Sequence, residues 1–223
     1  MSDDRDASVA FTQDPLWRAG SWLAGETFET ISELNEECLE LIAQQAAAAR
    51  APSVPMLTGE MRTLWCALDS GSRHRAAQCP CLLVDAGFLD AGRWAAALGR
   101  RIQDGGRTSV PAAFFTVPRT IPVMRLLLAS VWHLVRSNAS AARLLMGIVS
   151  PCAELIATSS LSAMLQIAEE HTHLLQPRWK ERTDVWRDLL IAAQRGEPAA
   201  LEAIRLRGVA LLAGEVWASQ GNA

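Results

Sequence analysis

The sequence predicts an all-α protein on three observations. Apolar residues recur at three- and four-residue spacings along most of the chain. No segment alternates apolar and polar residues for long enough to make a half-buried strand. Glycine and proline concentrate in "APSVP" and in 103–122, which separate the periodic stretches. With 223 residues, half of them hydrophobic, the chain has material for one large or two small cores.

Residues 28–49, "FETISELNEECLELIAQQAAAA", set Ile31, Leu34, Cys38, Leu41 and Ile42 on one face and Glu33, Glu36, Glu37 and Glu40 opposite, as in a helix packed on one side. "APSVP" ends it. Thr58 or a neighbour caps a second helix expected to run to about Arg75, with Met61, Leu64, Trp65 and Leu68 inward. "CPCLLVDAGFLDAGRWAAALGRR" begins as a short extended piece and continues as a helix capped near Asp90. Further helices are expected at 122–136, 139–148, 151–158, 161–173, 183–195 and 198–217. In the helix over 161–172, Leu161, Met164, Leu165 and Ala168 are expected to face inward, leaving Ser162, Gln166, Glu169 and Glu170 outward.

No apolar run reaches the ~18 residues of a membrane-spanning helix. The acidic start "MSDDRD" lacks the basic region of a secretory signal. Five cysteines at irregular spacings give no disulfide framework and are expected as reduced, mostly packed thiols. The expected location is cytoplasmic.

The net charge of −3 conceals an uneven distribution: −8 over residues 1–60, +7 over 61–143 and −2 over the remainder. A basic middle third means either contact with nucleic acid or an acidic partner, or pairing with the acidic third inside the molecule. Arg62, Arg73, Arg75, Arg93, Arg100, Arg101 and Arg107 form no dense run, which favours internal or partner pairing.

A shift of 92 residues lays the helix at Ile31 on the helix at Val123, pairing Leu34 with Leu126 and Ile42 with Leu134. The same shift lays 81–98 on 173–190 and matches Leu82, Leu83, Trp94 and Leu98 with Leu174, Leu175, Trp186 and Leu190. One offset serving both ends is the mark of a degenerate tandem duplication, and two such repeats bury each other's apolar faces as a homodimer would. The expected organisation is a tail at 1–15, a first repeat at 16–102, a Gly/Pro-rich linker at 103–121 and, over 122–223, a second repeat with a terminal helix.

The second half resembles the FlhD family of flagellar master transcriptional activator subunits. The likeness rests on "LLLA" (126–129), "ASA" (139–141), "GI" (147–148), the spacing to Leu161, Met164 and "AE" (168–169), and "RW" (178–179). It covers roughly 122–190, with looser agreement over 28–98, whereas family members are about half this length and lack the additional terminal helix. The resemblance implies a helical pseudo-dimer of two FlhD-like repeats with a helix-turn-helix-like element in the second. It also implies transcriptional regulation of flagellar or related genes through a protein partner. That partner would be an FlhC-like subunit carrying a zinc site and much of the DNA contact. The residues fit a poor DNA reader, because Glu169 and Glu170 repel phosphate. The alternative on the same scaffold is an adaptor or secretion-associated interaction protein without a nucleic-acid role.

Arg178, Lys180, Arg182 and Arg187 around Trp179 are the candidate partner or DNA-backbone contact, although Glu181, Asp184 and Asp188 interleave with them and Trp179 and Trp186 are suited to packing. "CPC" (79–81) and "HTH" (171–173) superpose under the 92-residue shift and hold four ligand-type side chains. The one-residue spacing is shorter than structural zinc sites use, so no metal site is assigned. Cys66 and His74 are too loosely spaced for a thiol nucleophile and base. No catalytic constellation and no cofactor site is identified.

Overall fold

A computed structural model describes residues 25–48, 54–100 and 112–220. The tail expected at 1–15 and the first part of the expected linker, 103–111, lie outside these residues. Ten α-helices and one two-stranded ladder make up the described chain, so the all-α expectation holds. In order these are α1 (Glu26–Ala47), α2 (Gly59–Cys66), α3 (Ser70–Ala77), β1 (Val84–Asp85), α4 (Ala91–Ala97), α5 (Thr120–Ser137), α6 (Ala139–Met146), α7 (Ser150–Ala157), α8 (Leu161–Glu170), β2 (Gln176–Pro177), α9 (Thr183–Arg195) and α10 (Pro198–Gln220).

The boundaries follow from capping chemistry. The single helix expected over 58–75 is two, because the Asp69 carboxylate accepts from Ser72 N–H at 2.7 Å and starts α3 afresh after a turn at Ala67 and Leu68. Asp90 caps α4 as expected, accepting from Arg93 N–H at 2.9 Å. The helix expected over 139–148 stops at Met146, where Gly147 takes the left-handed conformation (φ 62°) that only glycine adopts cheaply. α8 ends at Glu170, so His171 caps it and His173 lies in a short 3₁₀ turn, neither on the helix. The extended piece at 84–85 forms the ladder with 176–177, strands too short to show any alternation.

One continuous hydrophobic core draws on both halves of the chain. Ile31, Leu34, Cys38, Leu41 and Ile42 are buried as expected, as are Met61, Trp65 and Leu68. In α8, Met164, Ile167 and Ala168 face the core, while Leu161, expected inward, is exposed. Leu161 occupies the first helical position next to the Ser160 cap, where the core does not reach, and Ile167 takes its place one turn beyond Met164. Phe114 and Phe115 are buried edge to face at 4.8 Å, and Thr116 N–H donates to the buried Gln45 at 2.7 Å. The end of the expected linker is thus part of the core.

The element order α1, α2, α3, β1, α4 recurs as α5, α7, α8, β2, α9 at an offset close to 92 residues, with α6 inserted and α10 appended. Packing repeats too: α1 lies on α2 and α3 as α5 lies on α7 and α8. The final helix of each set packs on the other set, α4 on α7 and α9 on α2. In the ladder Val84 faces Pro177 and Asp85 faces Gln176, so each residue meets the offset equivalent of its neighbour, the register an isologous contact requires. Trp94 and Trp186, 92 residues apart, each donate the indole N–H to the carbonyl eight residues earlier, to Ala86 at 3.1 Å and Arg178 at 2.8 Å.

The loop entering β1 is fastened from the α1 side by one side chain. Fully buried Asn35 of α1 donates its amide to the carbonyls of Ala77, Cys79 and Cys81 at 3.0–3.2 Å and accepts from Leu83 N–H at 2.8 Å. Its offset equivalent is Leu127. Asn35→Leu leaves three carbonyls and one N–H without partners and is expected to lower stability by about 3 kcal/mol or more. Asn35→Asp is expected to be at least as damaging, because it sets a carboxylate against those carbonyls. Urea unfolding of both variants checks this; a loss below about 1 kcal/mol in either removes Asn35 from this role.

Candidate functional site

The residues expected to meet a partner begin directly after β2, and the structure divides them. Arg178 is buried. Its Nε donates to Leu82 O at 3.1 Å, its Nη2 to Met146 O at 2.7 Å and its Nη1 to Glu215 Oε2 at 3.0 Å, with Asp85 Oδ1 3.5 Å away. One guanidinium therefore binds the loop before β1, the end of α6 and the C-terminal part of α10. This corrects the expectation of an exposed contact residue. The planar fork of five N–H donors suits a site with carbonyls and carboxylates on several sides, and a buried cation is tolerable only when so surrounded.

Gly147 makes room for it. A Cβ there would lie 3.0 Å from Arg178 Nη2 and 2.4 Å from Leu212 Cδ1. Burial pushes the Glu215 carboxyl above its usual range, although Arg178 pulls the other way. Periodicity and motif spacing do not single out Glu215, yet it leaves a signal in the sequence: it is the sole acid in the otherwise apolar and basic run 203–220.

Trp179, next in the chain, has a positive φ of 50°, which is strained for a tryptophan and turns the backbone from β2 toward α9. Its ring closes on α10 at Gly208, where a Cβ would stand 3.4 Å from the indole. Trp186 is fully buried against Trp65, with ring centroids 5.5 Å apart. Lys180 donates to Gln176 at 3.2 Å. Arg182 and Arg187 remain on the surface, paired to Asp184 at 3.6 Å and Asp188 at 3.7 Å, and Arg207 of α10 also bonds both carboxylates. The Arg207 guanidinium holds the Asp184 carboxyl below its usual range. Of the five expected contact residues, only Arg182 and Arg187 present free guanidinium surface, and an acid accompanies each.

α7 and α8 follow one another across a turn at 158–160. The outward side chains of α8 are those expected: Ser162, Gln166, Glu169 and Glu170 are exposed. Arg125 pairs with Glu169 at 2.5 Å, and Gln166 donates to Glu170 at 2.9 Å. Two arginines to which the sequence assigns no role flank the turn. Arg100 donates to Thr158 Oγ1 at 3.1 Å and Arg136 to Ala157 O at 3.4 Å, placing cations where the end of α7 carries negative dipole charge.

Part of the basic third pairs with acids inside the molecule. Arg73 pairs with Glu40 and Arg119 with Glu37, both at 2.5 Å, and His74 stands 3.2 Å from Glu36. The glutamate face of α1 is thus partly covered by cations rather than simply solvated. Cys79 and Cys81 lie buried with sulfurs 3.5 Å apart. The Cys81 hydrogen bond holds the Cys79 thiol below its ordinary value and pushes Cys81 up. His171 and His173 face each other with ring centroids 5.6 Å apart, and burial lowers the His173 pKa. The two pairs do not assemble: among the described residues no three His, Cys, Asp or Glu side chains form a group fit to hold a metal ion. No described helix is long and apolar enough to cross a membrane. Comparison with family models, curated proteins and solved structures finds no match to this chain.

Truncating Arg178 to alanine strands the Leu82 and Met146 carbonyls and the Glu215 carboxylate. The expected cost is about 3–5 kcal/mol. Arg187→Ala, on the surface, is expected to cost less than ~1 kcal/mol. Chemical denaturation compares the two; equal effects would show that Arg178 does not hold the three elements together.

Proposed function

We propose that this chain is an FlhD-like transcriptional regulator subunit that acts through a protein partner, in flagellar or related gene control. The observation that carries the reading is the exposed face of α8, which follows α7 across a short turn and is acidic. A helix that reads DNA unaided brings cations to phosphate and side-chain donors to base edges. Here α8 presents Ser162, Gln166, Glu169 and Glu170. Of the cations at 178–187, Arg178 is buried, Lys180 is half-buried and bonded to Gln176, and Arg182 and Arg187 are paired with Asp184 and Asp188. Two arginines of the middle third, Arg73 and Arg119, are paired with α1 glutamates. Such a subunit contributes shape and attachment while a more basic subunit, FlhC-like on this reading, supplies phosphate contact.

The same reading makes the chain a tandem duplication, a pseudo-dimer of two diverged FlhD-like repeats. The recurring element order, the exchanged packing of α4 and α9, the ladder register and the paired indole hydrogen bonds of Trp94 and Trp186 support it.

The test is a mobility-shift titration of duplex DNA with the purified chain, alone and with the FlhC-like protein encoded in the same genome. At about 150 mM salt the chain alone is expected to leave DNA unshifted, and the mixture to shift it selectively. Tight, sequence-selective binding by the chain alone overturns the reading of α8. Failure of the two proteins to associate favours the adaptor alternative instead.

A further inference from the structure

Two of the five cysteines stand together with a cation beside them. Cys79 and Cys81 flank Pro80, where the chain bends, and their buried sulfurs lie 3.5 Å apart, in contact but not bonded. Both residues are fixed from outside the pair. The Asn35 amide binds the carbonyl of Cys79 at 3.2 Å and that of Cys81 at 3.0 Å. Gly208 of α10 covers both sulfurs, which stand 3.6 and 3.7 Å from where its Cβ would be. Arg205, three residues before Gly208, donates from Nη2 to Gln78 at 3.2 Å, while its Nε is buried and makes no hydrogen bond among the described residues. Arg205 and Cys79 line the same small internal space beside Gly208.

We propose that Cys79 and Cys81 form a peroxide-reactive dithiol, with Cys79 the attacking sulfur and Cys81 the resolving one. The two thiols are not equivalent. The Cys81 hydrogen bond holds the Cys79 thiol below its ordinary value, Arg205 acts in the same direction, and the same bond pushes Cys81 up. Burial and nearby carboxylates push Cys38 and Cys152 up to about 12, which leaves them inert. Cys79 also lines an open groove of ≈470 Å³, which Cys81 does not. Glu29, Glu33 and Glu36 stand in its wall, with no lysine or arginine among the described residues that line it. Such a field turns away anions and admits a small neutral oxidant. Cys79 yields its proton to water, and its thiolate attacks one oxygen of hydrogen peroxide. The O–O bond breaks, the departing hydroxide is protonated to water, and Cys79 is left as a sulfenic acid. The Cys81 sulfur then bonds to the Cys79 sulfur, and its proton leaves with the displaced hydroxide as a second water. Two thiols and one peroxide thus give one disulfide and two waters, and a thiol reductant reverses the oxidation by exchange. The inference does not rest on the regulatory reading.

The test uses the full chain, folded and reduced, with the exposed Cys66 changed to Ser so that it cannot cross-link. After hydrogen peroxide, thiol blocking and trypsin, both cysteines lie in the one peptide 76–93, read by mass spectrometry. That peptide is expected to lose two hydrogens and to regain them with dithiothreitol, while Cys38 and Cys152 stay free. Glutathione disulfide, an anion, is expected to react at least about tenfold more slowly. In Cys81→Ser a sulfenic acid persists at Cys79 and is trapped by dimedone; in Cys79→Ser no adduct forms at Cys81. Arg205→Gln is expected to slow oxidation of Cys79 at least about twofold, with helicity unchanged by circular dichroism. The proposal is overturned if the folded chain forms no disulfide in peptide 76–93, or if Cys38 or Cys152 reacts as fast. Trapping at Cys81 in Cys79→Ser, or glutathione disulfide matching peroxide, also overturns it.

Discussion

The buried guanidinium of Arg178 is the constraint on which much of the architecture depends. Taking such a charge out of water costs several kcal/mol, and the cost is offset only if the surroundings supply acceptors on every side. Here they come from three places distant in sequence: Leu82 and Asp85 beside β1, Met146 at the end of α6, and Glu215 on α10. Each acceptor imposes a demand on its own element. Met146 O is offered only because Gly147 turns the chain with a positive φ and no Cβ. Leu82 O is held in place because Asn35 fixes the loop 77–83. Glu215 must sit half-buried on α10, which brings Gly208 down onto Trp179 and the Cys79–Cys81 pair.

The electrostatic pattern of the whole chain follows a similar logic of internal satisfaction. A strongly acidic first third and a basic second third would, if both faced water, give two opposed fields suited to different partners. Folding brings them together instead: α1 offers Glu36, Glu37 and Glu40 to His74, Arg119 and Arg73. Ion pairs this exposed contribute little stability each. Their larger consequence is that part of the positive charge visible in the sequence, at Arg73 and Arg119, is turned toward α1.

The helical class, the inward faces of α1 and α2 and the outward residues of α8 were legible because each depends on periodicity and local capping alone. The recurrence at 92 residues was legible at its two ends, through Leu82 with Leu174 and Trp94 with Trp186, because core positions keep their apolar character. The fate of Arg178 was not legible. In sequence it stands among Lys180, Arg182 and Arg187 and looks like one member of a surface cluster. Burial is decided by what arrives from 96 and 32 residues earlier and 37 later, and no local pattern encodes those arrivals. The split between α2 and α3 was hidden for a smaller reason: the apolar spacing runs on through Leu68, and only the Asp69 cap interrupts it.

The two halves differ where a duplication would first be free to diverge. Asn35 corresponds to Leu127 and Arg178 to Ala86, so each half carries one buried polar hub that the other lacks. Both hubs act on the same loop before β1: Asn35 holds it from the α1 side and Arg178 from the α10 side, with Leu82 and Leu83 between them. In a homodimer of identical repeats every hub would occur twice and every face would be covered or bare in pairs. A single chain is released from that symmetry. One face has taken on α10 as a cover, anchored through Glu215 to Arg178, while the outer side of that cover remains apolar. On the proposed duplication, fusion into one chain would be the step that frees the two surfaces to differ, one sealed by α10 and one left to the acidic helix α8.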